Sequence, residues 1–170
     1  MIHLYTGNGK GKTTAAAGLC VRALGRGKRV LFAQFLKGRG SGELGSLRRL
    51  GATVMLAKTG EKFLFQMNGE ERAATQKEHL AAFGEVRDKA LCGRYDLAVL
   101  DEVVDAAVLG LIPLEGLLCL AKDCPPGMEL VLTGHNPPEE LAAICDYHTD
   151  FVCKSHPYSR GVTAREGIEY

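Results

Sequence analysis

Tryptophan is absent from this 170-residue chain, and aromatic residues make up only 6% of it. Net charge is nearly absent as well: 21 Lys and Arg stand against 20 Asp and Glu, a formal +1 at pH 7. A dedicated nucleic-acid binder usually carries a marked basic excess, so no nucleic-acid role is expected. No apolar run approaches the roughly 20 residues of a membrane-spanning helix, so no membrane role is expected either. The start, Met1-Ile2-His3-Leu4-Tyr5, lacks the charged opening and long apolar stretch of a secretory signal; it reads as a strand that begins at once. The expected location is the cytoplasm. The six cysteines (Cys20, Cys92, Cys119, Cys124, Cys145 and Cys153) include no CxxC pair, and the five histidines show no HxxxH or HExxH spacing. Buried thiols in a reducing compartment are expected in place of disulfides or zinc.

What the chain does have is an uneven distribution of charge. Residues 1–62 hold 12 Lys and Arg but only Glu43 and Glu61, whereas residues 63–170 hold 9 basic and 18 acidic residues. The first third is therefore suited to handling an anion. Along the chain, short apolar runs alternate with helical stretches, the pattern of parallel βαβ units. Strands are expected at Ile2–Thr6, Arg29–Phe35, Thr53–Ala57, Asp96–Leu100, Glu129–Thr133 and Asp150–Cys153. Helices are expected at Lys12–Leu24, Gly42–Leu50, Gly69–Leu91, Pro113–Ala121 and Pro137–Cys145. Asn68 and Glu71 have the spacing of a capping box, and Asn136-Pro137-Pro138 reads as another helix start. No repeat or linker interrupts this pattern. The expectation is a single α/β domain over 1–170, three-layered, with a central and mostly parallel sheet.

The strongest motif is Thr6-Gly7-Asn8-Gly9-Lys10-Gly11-Lys12-Thr13-Thr14, between the first strand and an alanine-rich helix. A glycine-rich turn lets backbone N–H groups converge on phosphate oxygens, and the helix N-terminus adds its dipole. Lys12 then reaches the phosphates and the Thr13 hydroxyl serves Mg²⁺. The usual GxxxxGK[ST] pattern has glycine where Thr6 stands, so this loop differs in detail. The second motif, Leu97-Ala98-Val99-Leu100-Asp101-Glu102, is an apolar strand ending in two acids that can hold Mg²⁺ directly or through water. Together the motifs point to a nucleoside triphosphate with Mg²⁺, and leave its fate open. Gln34-Phe35-Leu36-Lys37-Gly38 leaves the second strand at an edge where open α/β sheets place ligand loops. Phe63 and Phe65 lie in a polar stretch, either packed under the long helix or forming an apolar wall for a large flat ligand. The glycine-punctuated tail from Ser155 to Tyr170 reads as a closing segment.

With these residues assembled, the chain closely resembles the ATP:corrinoid adenosyltransferases, whose fold is of the P-loop NTPase-like kind. The resemblance rests on the Thr6–Thr14 loop, with its shortened glycine spacing, and on Gln34–Gly38, Gly60–Phe63 and Val99–Glu102. Thr133-Gly134, His156-Pro157-Tyr158 and Gly167–Tyr170 also carry it. It implies transfer of the 5′-deoxyadenosyl group of ATP to Co(I) of a reduced corrinoid, with release of inorganic triphosphate. It further implies that Gly7, Asn8, Gly9, Lys10, Gly11, Lys12, Thr13 and Thr14 hold the triphosphate. Lys12, Thr13 and Glu102 then carry the catalytic work, with Thr13 and Glu102 serving the metal and Asp101 supporting them. Phe63 and Phe65 contact the corrinoid. A flavoprotein reductant and a homodimer are implied too. His135 stands where the pattern commonly has arginine, and Val104 where it is often polar. On the residues alone, two other readings stand beside this one. One is a small-molecule kinase or NTPase, although Arg160 and Arg165 are the only arginines from Gly110 onward for a lid. The other is a nucleotide-binding module without chemistry.

Overall fold

A computed structural model of the chain describes residues 1–37, 41–57 and 64–169. Strands β1 (Ile2–Thr6), β2 (Val30–Gln34), β3 (Thr53–Leu56), β4 (Leu97–Asp101), β5 (Glu129–Thr133) and β6 (Tyr147–Asp150) form one sheet. Their order is β3-β2-β4-β5-β1-β6, and every pairing is parallel. Helices α1 (Lys12–Leu24), α2 (Gly42–Arg49), α3 (Gly69–Leu91), α4 (Val103–Val108), α5 (Leu114–Lys122) and α6 (Glu139–Ala142) connect them. β2 and β4 are buried at every position. Strands covered on both faces have no solvent side, which is why they read as unbroken apolar runs.

Alternate residues of each strand serve opposite layers. Phe32, Val99 and Val131 pack with Ala16 and Cys20 of α1 and with Leu44 and Leu47 of α2. Leu31, Leu100, Leu130 and Leu132 point the other way, into Phe83 and Val86 of α3 and Leu117 and Leu120 of α5. α3 meets this layer through a single stripe: Thr75, His79, Phe83, Val86 and Ala90. Its start is the expected capping box, in which Glu71 N–H donates to Asn68 Oδ1 at 2.9 Å and Asn68 N–H to Glu71 Oε2 at 3.0 Å. These layers align the carboxyl ends of the central strands. Gln34 is registered with Asp101, and Tyr5 with Thr133, so the loops that follow share one edge of the sheet.

Several elements depart from the sequence expectation. β6 spans Tyr147–Asp150, not Asp150–Cys153. It is an edge strand exposed at all four positions, so it lacks the apolar signature of a buried strand. The apolar Phe151 and Val152 instead run on beside the glycine loop. α4 was not expected; six residues give no periodicity long enough to read. α6 begins only at Glu139, with Pro138 at its cap and no capping hydrogen bond from a side chain. Of the cysteines, Cys20 is buried while Cys92 and Cys119 are exposed. Cys119 sits between buried Leu118 and Leu120, but the turn per residue of a helix carries it to the outer face.

At the opposite edge of the sheet, Asp96 accepts from the Arg29 backbone N–H at 2.8 Å and from its guanidinium at 3.1 Å. The Arg29 side-chain hydrogen bonds, with that N–H, hold the Asp96 carboxyl down at about 2 from an ordinary 3.8. A depressed carboxylate stabilises the fold fully above its unfolded value and loses that contribution as pH falls through the folded one. Asp96→Asn should therefore flatten the fall of stability between about pH 4 and pH 2. Denaturant unfolding across that range checks it, and an unchanged slope in the variant would contradict it.

Candidate functional site

The glycine loop leaves β1 at Thr6 and enters α1 at Lys12. Gly7 has φ +99°, and a Cβ there would collide with Asp150 Oδ1. Gly9 lies so close to the chain after β6 that a Cβ would meet Phe151 O at 2.6 Å. Both positions thus require glycine for a physical reason, a left-handed conformation in one and close backbone approach in both. Hydrogen bonds fix the loop at three points. Gly7 N–H donates to His135 O at 3.0 Å, Gly9 N–H to Phe151 O at 2.6 Å, and Cys153 N–H to Asn8 Oδ1 at 3.0 Å. Gly7 and Gly9 therefore anchor the loop to its neighbours through their N–H groups.

Lys12 Nζ folds over this loop and donates to the carbonyls of Gly7 at 2.6 Å and Gly9 at 3.1 Å. Next to it, the Thr13 hydroxyl donates to Asp101, at 2.9 Å from Oδ1 and 3.1 Å from Oδ2. Asp101, at the end of β4, is wholly buried. It also accepts from Gln34 Nε2 at 2.9 Å and Thr133 Oγ1 at 2.8 Å. Thr133 in turn accepts from the Glu102 N–H at 2.9 Å, which ties the two acids to β5. The ends of β2, β4 and β5, brought level by the sheet register, thus form one network with Thr13 at the start of α1.

Glu102 sits at φ +59°, a left-handed conformation uncommon outside glycine, and starts α4. Burial, reinforced by the adjacent Asp101 charge, pushes its carboxyl up to about 7 against the opposing influence of Lys37. Lys37 Nζ lies 3.9 Å from Glu102 and 4.0 Å from both Asp101 and Glu43. Glu43 accepts from Ser41 Oγ at 2.5 Å and Gln34 Nε2 at 3.3 Å. Its burial is outweighed by those hydrogen bonds and by Lys37, which leave its carboxyl below the usual range.

These groups line a cavity of about 830 Å³ that extends from the glycine loop to the C-terminal tail. Of the residues expected to hold a triphosphate, Asn8, Gly9, Lys10, Gly11, Lys12, Thr13 and Thr14 line it, and Gly7 does not. Glu102 lines it, while Asp101 lies behind, against the Thr13 hydroxyl. The tail does close over the loop: Gly167, Ile168 and Glu169 form part of the wall, and Glu169 pairs with Lys10 at 3.8 Å. His135 lines the cavity too, its Nδ1 2.8 Å from Asp105 Oδ2. Gly134 lets this corner close, since a Cβ there would fall 2.5 Å from Val104 Cβ.

Phe65 is brought to a different place. It lies on a short 3₁₀ turn (Leu64–Gln66) before α3, is 84% exposed, and is not among the residues lining this cavity. Packing of Phe65 under the long helix is thereby excluded; Leu64 makes the core contact instead. Phe63 and the Gly60–Phe63 stretch lie outside the described residues, as do Gly38 and Tyr170. Sequence reasoning missed Glu43 and Ser46, both of which line the cavity. Glu43 did carry a signal, being one of only two acids in the basic first 62 residues.

The donors around Thr13 and Glu102 are hydroxyl and carboxylate oxygens, the hard set that suits Mg²⁺. The one fully buried thiol close enough to sense Asp101, Cys20, is pushed up to about 12 by burial and by that charge, so it stays protonated. Among the described residues, no three His, Cys, Asp or Glu side chains converge to hold a metal by themselves. Mg²⁺ commonly takes one or two carboxylates and completes its shell with water and substrate phosphates, and the Glu102 carboxylate with the Thr13 hydroxyl would fit such a shell.

Comparison with known proteins agrees with this geometry. The model of the family described as "ATP:corrinoid adenosyltransferase BtuR/CobO/CobP" matches residues 1–170. The chain is 31% identical to the corrinoid adenosyltransferase of Escherichia coli K12, covering 100% of this chain and 85% of that protein. It is 30% identical to the corrinoid adenosyltransferase CobA of Salmonella typhimurium, over 100% of this chain and 85% of that one. The corrinoid adenosyltransferase of Pseudomonas aeruginosa is 30% identical, over 98% and 82%. A strand, a glycine loop that closes on the chain after β6, and a Thr–Asp pair facing a cavity accompany a match over the whole length: the chain belongs to the ATP:corrinoid adenosyltransferase family.

Proposed function

We propose that this chain, acting as a single domain over residues 1–170, transfers the 5′-deoxyadenosyl group of ATP to the Co(I) of a reduced corrinoid. The electron pair of Co(I) forms the bond to C5′, the C5′–O bond breaks, and inorganic triphosphate leaves with that bonding pair. The nucleophile comes from the substrate, so no protein base is needed for this step. The chain's work is to hold the triphosphate and to stabilise charge that grows on it as the bond breaks. The observation that carries this reading is that Lys12, Thr13 and Glu102 line one cavity, with Asp101 accepting from the Thr13 hydroxyl behind it.

In this reading Lys12 exchanges two loop carbonyls for phosphate oxygens, and its charge then counts most when the leaving group is most anionic. Lys10 meets the same anion from the rim, where it now pairs with Glu169. Thr13 and Glu102 hold Mg²⁺, which when bound neutralises part of the triphosphate charge; Asp101 keeps Thr13 aimed. The exposed ring of Phe65 offers an apolar face to the flat corrin, with Phe63 beside it in sequence. A flavoprotein that reduces the corrinoid, a homodimeric assembly and a cytoplasmic setting complete the proposal. No helix among the described residues is long and apolar enough to cross a membrane.

The test is to incubate the protein with ATP, Mg²⁺ and chemically reduced cobalamin in the dark and to separate the corrinoids. A light-sensitive adenosylated product is expected. ADP with unmodified corrinoid would instead identify a kinase or NTPase, and intact ATP a binding module.

A further inference from the structure

Lys37 stands in an unusual position for a lysine so close to a nucleotide loop. Its ammonium is nearly equidistant from Glu43, Asp101 and Glu102, at 3.9–4.0 Å from each. Those are charge-pair distances, longer than hydrogen bonds. Two of the acids already have short hydrogen bonds elsewhere: Asp101 from Thr13, Gln34 and Thr133, and Glu43 from Ser41. Lys37 thus supplies charge to the cluster without completing its hydrogen bonding. Its backbone is prepared for this. The preceding residue, Leu36, has φ +60° and donates its N–H to Nε2 of the fully buried His79 at 3.2 Å. The other ring nitrogen of His79, Nδ1, lies 2.9 Å from Thr75 O, so the Nδ1–H donates there and Nε2 is left as the acceptor.

We infer that Lys37 is a tethered counter-ion of the metal site, holding the carboxylates together and competing with a free divalent cation. A dication approaching Glu102 and Thr13 would meet a fixed positive charge among its own ligands, which disfavours binding at short range. A metal that arrives with a triphosphate brings the remedy. Lys37 is only partly buried and lines the same cavity, so the phosphate oxygens give its ammonium another partner as the metal takes the carboxylates. The chain then takes up metal and nucleotide together, and metal alone poorly. The inference rests on the triphosphate reading above, but whether a corrinoid is adenosylated does not enter its test.

Mn²⁺ binding, followed by the loss of the free-ion electron paramagnetic resonance signal, provides that test without nucleotide or corrinoid. Lys37→Met keeps an apolar stem and removes the charge; Lys37→Arg keeps the charge. Lys37→Met should bind Mn²⁺ at least about tenfold more tightly than the unmodified protein, since a like charge about 4 Å away has been removed. Lys37→Arg should stay as weak as the unmodified protein, and matched thermal unfolding of all three shows that the variants are folded. Unchanged or weaker Mn²⁺ binding by Lys37→Met would overturn this inference alone. Failure of the unmodified protein to retain ATP in a separate equilibrium dialysis with Mg²⁺ would overturn the triphosphate reading, and this inference with it.

Discussion

Lys12→Ala should lower kcat/KM for ATP by about a thousandfold or more, comparable with losing a transition-state donor inside a shielded site. The size follows from where the charge is needed. ATP already carries its triphosphate when it binds, so part of the Lys12 interaction serves binding alone. In the proposed transfer, breaking the C5′–O bond puts a further charge on the triphosphate, and there the ammonium helps the transition state more than the ground state. The fold itself should tolerate the change, because among the described residues the Lys12 side chain hydrogen-bonds the carbonyls of Gly7 and Gly9, and it is not part of the core. Thermal unfolding within a few degrees of the unmodified protein, alongside the kinetic loss, is the expected pair of results. A loss below about tenfold would show that the loop backbone alone carries the leaving group, contrary to the role given to Lys12.

Asp101→Ala should do damage of a different kind, to stability as well as to activity. The carboxylate is fully buried and receives hydrogen bonds from Thr13, Gln34 and Thr133. Its removal leaves those donors facing a gap and leaves Lys37 with one fewer counter-charge. Breaking a buried charged network of this kind costs about 3–5 kcal/mol. Metal-dependent ATP binding should weaken in the same variant, because nothing then orients the Thr13 hydroxyl. Urea unfolding and ATP titration with and without Mg²⁺ measure the two effects separately. A stability change below about 1 kcal/mol, or ATP binding that responds to Mg²⁺ as before, would show that Asp101 is not the hub of the site.

Much of this arrangement was legible in the residues, for identifiable reasons. β1, α1, β5 and α3 fall where their patterns place them, because a short apolar run or an alanine-rich stretch bounded by glycine or a capping residue leaves few alternatives. Besides α6, which starts late, two elements did not. β6 is polar because it is an edge strand, and α4 is too short for its periodicity to show. The site followed the same division. Lys12, Thr13, Asp101 and Glu102 each follow the carboxyl end of a short apolar run, where an open parallel sheet gathers its ligand loops, so their meeting could be foreseen. The convergence of Lys37 with Glu43 and the acids could not, since it depends on a left-handed Leu36 held by a histidine 43 positions away in sequence. No local motif records a contact of that kind. The uneven charge of the chain records part of the outcome: the basic glycine loop and Lys37 from the first third share the cavity with Glu102 and Glu169 from the remainder, and with Glu43 from the first third itself.

In the proposed reaction the whole triphosphate leaves ATP as one unit, and phosphorus NMR of a reaction run with limiting reduced corrinoid reads that directly. One inorganic triphosphate is expected for each adenosylated corrinoid formed, with no ADP. ADP and orthophosphate in place of triphosphate would contradict it.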